Sequence, residues 1–248
     1  MTAATATAHP QRRVEHCMGT VFSFDIRSPG VAGEALDDVI AWLHHIDRTF
    51  STYRGDSDIS RLRRGEVELR DCAPDVAVVL ARCAELTDET DGYFDCRPDG
   101  VLDPSGYVKG WAIERASDML GAAGSVNHSI TGGGDVQCTG HAGADRPWVV
   151  GIADPLRPRR VIATVSGSEL AVATSGTAER GRHITDPHTG VRPEALASVT
   201  VVGRRLADVD AYATAAFAMG ELANAWLTAR DLSALLVDPA GGVVNTGR

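Results

Sequence analysis

The order of helical and strand patterns along the chain is the feature that most constrains its fold. Helical spacing of apolar residues predicts helices at residues 35–43, ending near residue 45, and at 76–86, with Pro74 in the first turn. A third helix is predicted at 108–120. Residues 125–172 contain short β-rich runs between turns, and an Ala-rich helix and short strands close the chain. Because helices and strands do not alternate regularly, we predict an α+β fold, with helices packed on mixed or antiparallel sheets.

Length and composition predict one domain preceded by a short tail. The chain has 248 residues, of which 44% are hydrophobic, and this is enough for one large core. The Ala/Thr-rich start lacks the basic segment and apolar run of a signal peptide. We therefore expect a disordered tail at residues 1–13 and a single domain at 14–248. No segment approaches the ~20 apolar residues of a membrane span, so membrane insertion is not expected.

Charge and cysteine content argue against several classes of protein. The formal net charge is −9, from 24 basic and 33 acidic residues, and no Lys/Arg stripe is present. Such a chain is a poor nucleic-acid binder. The five cysteines include no pair with CxxC spacing, which argues against a zinc cage or a disulfide scaffold. The same observation favours a reducing compartment, and we predict a cytoplasmic location.

A loop rich in Gly, Pro and carboxylates precedes the third predicted helix. Four aspartates lie within residues 91–103, and Lys109 follows the last of them, Asp103, by six residues. Helix N-termini attract anions, and carboxylates beside an anion fit a bridging cation, for which the carbonyl of Gly106 is a further possible ligand. The loop therefore favours a metal-bound phosphate ester. An acidic loop that only caps the helix, with Asp103 or Ser105 as the N-cap, explains the same pattern.

Asp210 and Thr214 lie four residues apart on the predicted Ala-rich helix. Residues with this spacing share one helix face. A carboxylate and a hydroxyl on one face suit Mg²⁺, with water and phosphate oxygens as its other ligands. Taken alone, the spacing is better explained by an exposed aspartate near the helix start and a threonine turned into the core.

Three further segments carry residues suited to a nucleotide. The glycines at 132–134 precede Asp135 and can present backbone N–H groups to a phosphate, although a tight hairpin explains them too. His183, in a turn-rich polar segment, can activate a hydroxyl or bind a diphosphate, or it can merely belong to a shaped turn. Met18 and Tyr53 can flank a flat ring, or they can be a core and a surface residue.

These segments occur in one ordered series. The series comprises Met18-Gly-Thr20, Phe50-Ser-Thr-Tyr53, Asp91-Gly-Tyr-Phe-Asp95, Asp103-x5-Lys109, Gly133-Gly-Asp135, Thr174-Ser-Gly176, the turn from His183 to Gly190, and Asp210-x3-Thr214. Over residues 14–220 it resembles the ApbE-type FAD:protein FMN transferase family. The resemblance implies an ApbE-like fold and Mg²⁺-dependent transfer of FMN from FAD to a threonine hydroxyl of an acceptor flavoprotein, with release of AMP.

The resemblance also implies a role for each matching residue. The positions that match FAD contacts are Met18, Tyr53, Tyr93, Phe94, Asp95, Asp103, Lys109 and His183. The positions that match Mg²⁺ ligands are the carbonyl of Gly106 and the side chains of Asp210 and Thr214. His183 and Asp210 are the candidate catalytic bases. A Mg²⁺-dependent FAD diphosphatase and a non-catalytic FAD-binding protein are the two alternative functions.

The chain departs from the family pattern after Asp95. Only seven residues separate Asp95 from Asp103, where many relatives have a much longer segment. The usual Pro-Thr after the Phe-Asp pair is replaced by Cys96 and Arg97. We expect this shortening to affect the mouth of the site, where flavin and acceptor meet, rather than the diphosphate region.

Overall fold

The computed structural model describes residues 10–31, 33–177 and 184–247. The helices of this part of the chain are α1 (Gly33–Phe50), α2 (Asp58–Arg63), α3 (Pro74–Glu89), α4 (Ser105–Ala122), α5 (Leu206–Met219) and α6 (Ala223–Ala229). Its strands are β1 (Gln11–Cys17), β2 (Thr20–Ile26), β3 (His128–Gly132), β4 (Asp135–Thr139), β5 (Trp148–Ala153), β6 (Val161–Gly167), β7 (Leu170–Gly176), β8 (Ser198–Gly203), β9 (Ser233–Val237) and β10 (Val243–Thr246).

The strands form one large sheet and one ribbon. Eight strands pair in the order β1-β2-β3-β4-β7-β8-β9-β10, and β5 pairs with β6 in a separate two-stranded ribbon. Each of these pairings is antiparallel. Neighbouring strands in sequence can pair in this way through short turns, without a crossover helix. The α+β prediction is confirmed.

Both faces of the large sheet are covered near its centre. On one face α5 packs against β7 and β8, and α4 packs against β3 and β4, with Val199 and Val201 in the main core. On the other face the β5–β6 ribbon brings Ile152 against Leu235. Side chains alternate between the faces of a strand, so the adjacent Leu236 belongs to the main core instead. The ends of β7 and β8 therefore lie between a helical layer and a ribbon.

The helix boundaries follow the buried residues. Helix α3 begins at Pro74, which confirms that prediction, because proline lacks the N–H that the first turn leaves unpaired. Helix α1 continues to Phe50, past the end expected near residue 45, since Ile46 and Phe50 extend its buried face. Helix α4 begins at Ser105, three residues before the predicted start.

The first strand begins at Gln11, so residues 11–13 belong to the sheet and not to the tail predicted for 1–13. Arg12 and Arg13 are exposed on this edge strand. Because both residues are charged, the sequence shows no apolar alternation there that would predict a strand. Residues 1–9 lie outside the described residues. No helix in the described part of the chain is long and apolar enough to cross a membrane. The cytoplasmic location stays a prediction.

Candidate active site

A cleft at the ends of β7 and β8 brings together four motifs that are far apart in the sequence. It encloses about 770 Å³ of empty space, including the part open to solvent. The residues that line it are Ser105, Gly106, Lys109, Gly133, Ala153, Asp154, Pro155, Thr174, Ser175, Gly176, Ser198, Asp210 and Thr214. The cleft therefore lies where α4, α5, the β3–β4 turn and the β5–β6 ribbon meet.

Lys109 is at the centre of a buried ion-pair cluster in this cleft. Its Nζ atom pairs with Asp135 and lies 3.1 Å from Oδ2 of Asp210. The side chains of Asp135 and Lys109 are 1% and 13% exposed. Two carboxylates face one ammonium group, so with its groups ionised the cluster carries a net negative charge. Burying such a charge is unfavourable unless a further cation or further donors offset it.

The β3–β4 hairpin holds Asp135 in place. Gly133 and Gly134 form its two-residue turn, and both have positive φ, at 55° and 87°, as a tight hairpin turn requires. The hairpin interpretation of this glycine motif is confirmed. Oδ1 of Asp135 accepts a hydrogen bond from the backbone N–H of Thr174 at 3.0 Å. The carboxylate is thus fixed between β7 and Lys109.

Helices α4 and α5 approach each other closely at Gly110. A Cβ atom at this position would lie 2.7 Å from Cβ of Asp210 and 2.8 Å from the carbonyl oxygen of Leu206, so no side chain fits. The N–H of Gly110 donates to Oδ2 of Asp210 at 3.0 Å. In an α-helix this N–H is the regular partner of the Gly106 carbonyl. Because the N–H of Gly110 also donates to Asp210, the carbonyl oxygen of Gly106 keeps the capacity to bind a further ligand.

Thr214 lies one turn beyond Asp210 on α5, and both residues line the cleft, as their spacing predicts. Oγ1 of Thr214 is 3.2 Å from Oγ of Ser175. The contacts of Asp210 with Gly110 and Lys109 are both made through Oδ2. Together with the Gly106 carbonyl these groups form an all-oxygen set, which suits a hard cation such as Mg²⁺. No group of three or more His, Cys, Asp and Glu side chains forms a metal site in the part of the chain that the structure describes.

The residues matched to flavin contacts lie in different surroundings. Tyr53, between α1 and α2, is 98% exposed. Met18 has φ of 53° in the β1–β2 turn and packs partly against the main core. Phe94 is buried in that core behind α4, and its ring would be 3.5 Å from a Cβ atom at Gly106. Phe94 therefore supports the helix start rather than lining the cleft.

Tyr93 connects the loop before α4 to the segment between β7 and β8. Its ring packs edge-on against His188, with 4.5 Å between ring centroids. Nε2 of His188 lies 3.0 Å from the carbonyl oxygen of Asp91, and its backbone N–H donates to Asp186. His188 thus positions the loop. The other histidine of this region, His183, lies outside the described residues.

Asp95 and Asp103 shape the ends of the shortened loop. Oδ1 of Asp95 accepts a hydrogen bond from the N–H of Arg97 at 2.7 Å, and Oδ1 of Asp103 accepts one from Ser105 at 3.0 Å. The N-cap of α4 is Pro104, without a side-chain cap, so neither Asp103 nor Ser105 is the N-cap that the capping interpretation named. Asp103 instead accepts from the first residue of the helix from one position before the cap. The N–H of Asp103 donates to the carbonyl of Cys96 at 2.7 Å and closes the loop.

Cys96 packs beside another free thiol. A hydrogen bond from the Cys83 thiol stabilises the thiolate of Cys96 and lowers its pKa to about 7. The pKa of Cys83 is raised, first by that hydrogen bond and then by burial. Cys96 therefore places a thiol with a lowered pKa directly after Asp95, one of the predicted flavin contacts.

The sequence did not single out Ser198, Asp154 or Pro155 as site residues. Oδ1 of Asp154 accepts hydrogen bonds from the two backbone N–H groups that follow Pro155, and so holds the turn of the β5–β6 ribbon. The Asp-Pro pair is a recognisable turn signal. Nothing in the local sequence indicates that this ribbon folds over the cleft.

The model of the ApbE family matches residues 18–99 and 97–236. The chain belongs to the ApbE family. It is similar to a protein of Rhodobacter capsulatus named FAD:protein FMN transferase, with 31% identity over 204 residues that cover 79% of this chain and 36% of that protein. A Vibrio cholerae protein of the same name is 26% identical over 267 residues, which cover 82% of this chain and 80% of that protein. The chain thus spans only about a third of the Rhodobacter ApbE relative.

Solved ApbE structures share the fold of this chain. The apo form of the Pseudomonas stutzeri flavinyl transferase ApbE superposes with a TM-score of 0.85 at 24% identity, over 96% of this chain and 94% of that one. The ApbE protein of Thermotoga maritima gives a TM-score of 0.84 at 21% identity, over 96% and 97% of the two chains. The predicted ApbE-like α+β fold is confirmed.

Proposed function

We propose that this ApbE-family chain is an enzyme that transfers FMN from FAD to a threonine hydroxyl of an acceptor flavoprotein and releases AMP. The observation that carries the proposal is the buried cluster in which Lys109 lies between Asp135 and Asp210, beside Thr214 in an open cleft. Relatives named FAD:protein FMN transferase support the reaction class.

The proposed cofactor is Mg²⁺. The residues that would hold it are Gly106, through its carbonyl, and Asp210 and Thr214, through their side chains. They fit a hard cation because the carboxylate and hydroxyl face one cleft and the net charge of the cluster is negative. Bound Mg²⁺ would neutralise the negative charge of the diphosphate during transfer.

Lys109 would bind the diphosphate as a point charge. Its ammonium group is held by Asp135, which the N–H of Thr174 holds in turn. A donor fixed before the substrate arrives stabilises developing charge without reorganisation. Lys109 therefore contributes orientation as well as charge.

The transfer step needs a base for the threonine proton. The hydroxyl oxygen attacks the phosphorus on the FMN side, the bond from that phosphorus to the bridging oxygen breaks, and AMP leaves with the bridging oxygen. His183 and Asp210 are the candidate bases. Oδ2 of Asp210 already accepts from Gly110 and pairs with Lys109, and the same carboxylate is a proposed ligand of Mg²⁺. We therefore assign proton removal to His183.

The proposed flavin contacts are Met18, Tyr53, Tyr93, Asp95 and Asp103, with Phe94 acting through its packing behind α4. Tyr53 and Tyr93 offer aromatic faces for the isoalloxazine ring. These residues are separate from the charged cluster, which suits a substrate with an apolar ring system at one end and a diphosphate in the middle.

The test is incubation of the protein with FAD, Mg²⁺ and a candidate acceptor flavoprotein. We expect flavin fluorescence on the acceptor band after denaturing electrophoresis and an equal amount of AMP. FMN and AMP without any acceptor would identify a diphosphatase instead. Binding of FAD with neither product, across all acceptors tried, would leave only a flavin-binding protein and contradict the proposal.

A further inference from the structure

Ser198, at the start of β8, carries a buried hydroxyl that has no hydrogen-bond partner among the residues the structure describes. The residue is 3% exposed. It lines the cleft. Buried polar groups are nearly always paired, because an unpaired hydroxyl loses its interaction with water and gains nothing in return. A hydroxyl in this position is therefore expected to pair with a molecule that enters the cleft.

The strand next to β8 shows why it supplies no partner for this hydroxyl. Across the β7–β8 pairing, Ser198 lies opposite Gly176, which has no side chain. A Cβ atom at Gly176 would lie 2.6 Å from the carbonyl oxygen of Ala197 and 3.1 Å from Cβ of Ser198, so no side chain fits there. The residue opposite Ser198 therefore has no side chain that could pair with the hydroxyl.

The next pair along the same two strands behaves differently. Thr174 lies opposite Thr200, and their hydroxyl oxygens are 2.8 Å apart, so one donates to the other. Side chains two residues apart on a strand share a face, so Ser198 and Thr200 are on the same side of the sheet. The hydroxyl of Thr200 is paired within the protein, whereas that of Ser198, at the start of β8, has no partner in the described part of the chain.

We propose that Ser198 binds the substrate by donating a hydrogen bond from its hydroxyl to a diphosphate oxygen of FAD. This inference rests on the proposed function. The diphosphate is the part of FAD that the charge of Lys109 attracts, and Lys109 and Ser198 line the same cleft. Ser198 and Gly176 then form the strand-side wall of the diphosphate position, and Lys109 belongs to its helix side. Ser198 is a binding residue and takes no part in bond breaking.

The test compares Ser198→Ala with the wild type in two measurements, both with Mg²⁺ present. The first is the Tm of the free protein, which we expect to be unchanged or higher, because an unpaired buried hydroxyl is removed. The second is the affinity for ADP, which carries a diphosphate but no flavin. We expect a loss of about tenfold to a hundredfold for ADP and FAD, as for a hydrogen bond to a charged group. Riboflavin, which has no phosphate, should bind the variant and the wild type equally.

Thr200→Val is the matched control. It removes a hydroxyl from the same strand and leaves Thr174 unpaired, so we expect a lower Tm and an unchanged ADP affinity. A lower Tm with unchanged ADP affinity in Ser198→Ala would show a structural role and overturn the inference. If the wild type binds neither FAD nor ADP, both the inference and the proposed function are wrong. If the wild type binds both and Ser198→Ala binds them equally well, only the inference fails.

Discussion

The charged end and the aromatic end of the candidate site are built in different ways. At the charged end, Lys109, Asp135 and Asp210 are largely buried and hold each other through ion pairs. At the aromatic end, Tyr53 is almost fully exposed and Tyr93 rests on the ring of His188. Ion pairs within the protein hold the first together, whereas the second would be completed by the flavin if the proposed function holds. Substitutions at the charged end should therefore change stability and chemistry together, and those at the aromatic end should change affinity alone.

The largest expected effect is that of Lys109→Met on stability. Without the ammonium group, two buried carboxylates face each other, and breaking a buried ion pair in this way costs about 3–5 kcal/mol. We expect a loss of that order in the free energy of unfolding, measured with urea. Arg205→Met removes an exposed arginine that pairs with Glu114 and serves as the control, with an expected loss of about 0–1 kcal/mol. Equal losses in the two variants would contradict the contrast between the site's charged end and the surface.

The next effect concerns the rate. Asp210→Asn keeps the size of the side chain and an oxygen that can accept from Gly110, but it removes the charge. We expect transfer to slow by about 10²–10³-fold, the usual cost of losing one electrostatic contact in the transition state, and to respond weakly to added Mg²⁺. Initial rates across a Mg²⁺ series measure both.

Asp208→Asn is the control for this substitution. Asp208 lies two residues earlier on α5 and pairs with Arg82 at 2.9 Å, away from the residues that line the cleft. We expect its transfer rate to stay near that of the wild type. A wild-type rate in Asp210→Asn would refute the metal assignment.

The smallest effect is expected for Tyr53→Ala. The side chain is 98% exposed, so the Tm should not change. Loss of one aromatic contact should weaken FAD binding by about 2–10-fold, since such pairs contribute about 0.5–1.5 kcal/mol. ADP affinity, measured in parallel, should stay the same because ADP has no flavin. A lower ADP affinity, or a lower Tm, would show that the two ends of the site are not separate.

What could be predicted from the sequence depends on the range of the interactions. The α+β class, the start of α3 at Pro74 and the hairpin before Asp135 follow from local patterns of turns and apolar spacing. Asp210 and Thr214 share a face because a helix brings residues four apart together. These features need only a few consecutive residues.

Long-range features could not be predicted in this way. Ser198 resembles any other strand residue, and its lack of a partner within residues 10–31, 33–177 and 184–247 becomes visible only in the folded chain. The bond from the N–H of Thr174 to Asp135 joins strands that are 39 residues apart. The start of strand β1 was not predicted, because its exposed arginines are typical of a solvated terminal segment. The roles matched to the flavin contacts stay predictions.

Because Gly110 has no side chain, α4 and α5 can approach closely, and this close approach positions Asp210. The backbone of α4 at Gly110 contacts the Asp210 side chain directly. The position of this carboxylate in the cleft therefore depends on the distance between the two helices. A single methyl group at Gly110 would act as a wedge and move a charge without altering any charged residue. The distance between α4 and α5 therefore determines where the Asp210 carboxylate lies in the cleft. Gly110, which is not among the residues that line the cleft, sets that distance.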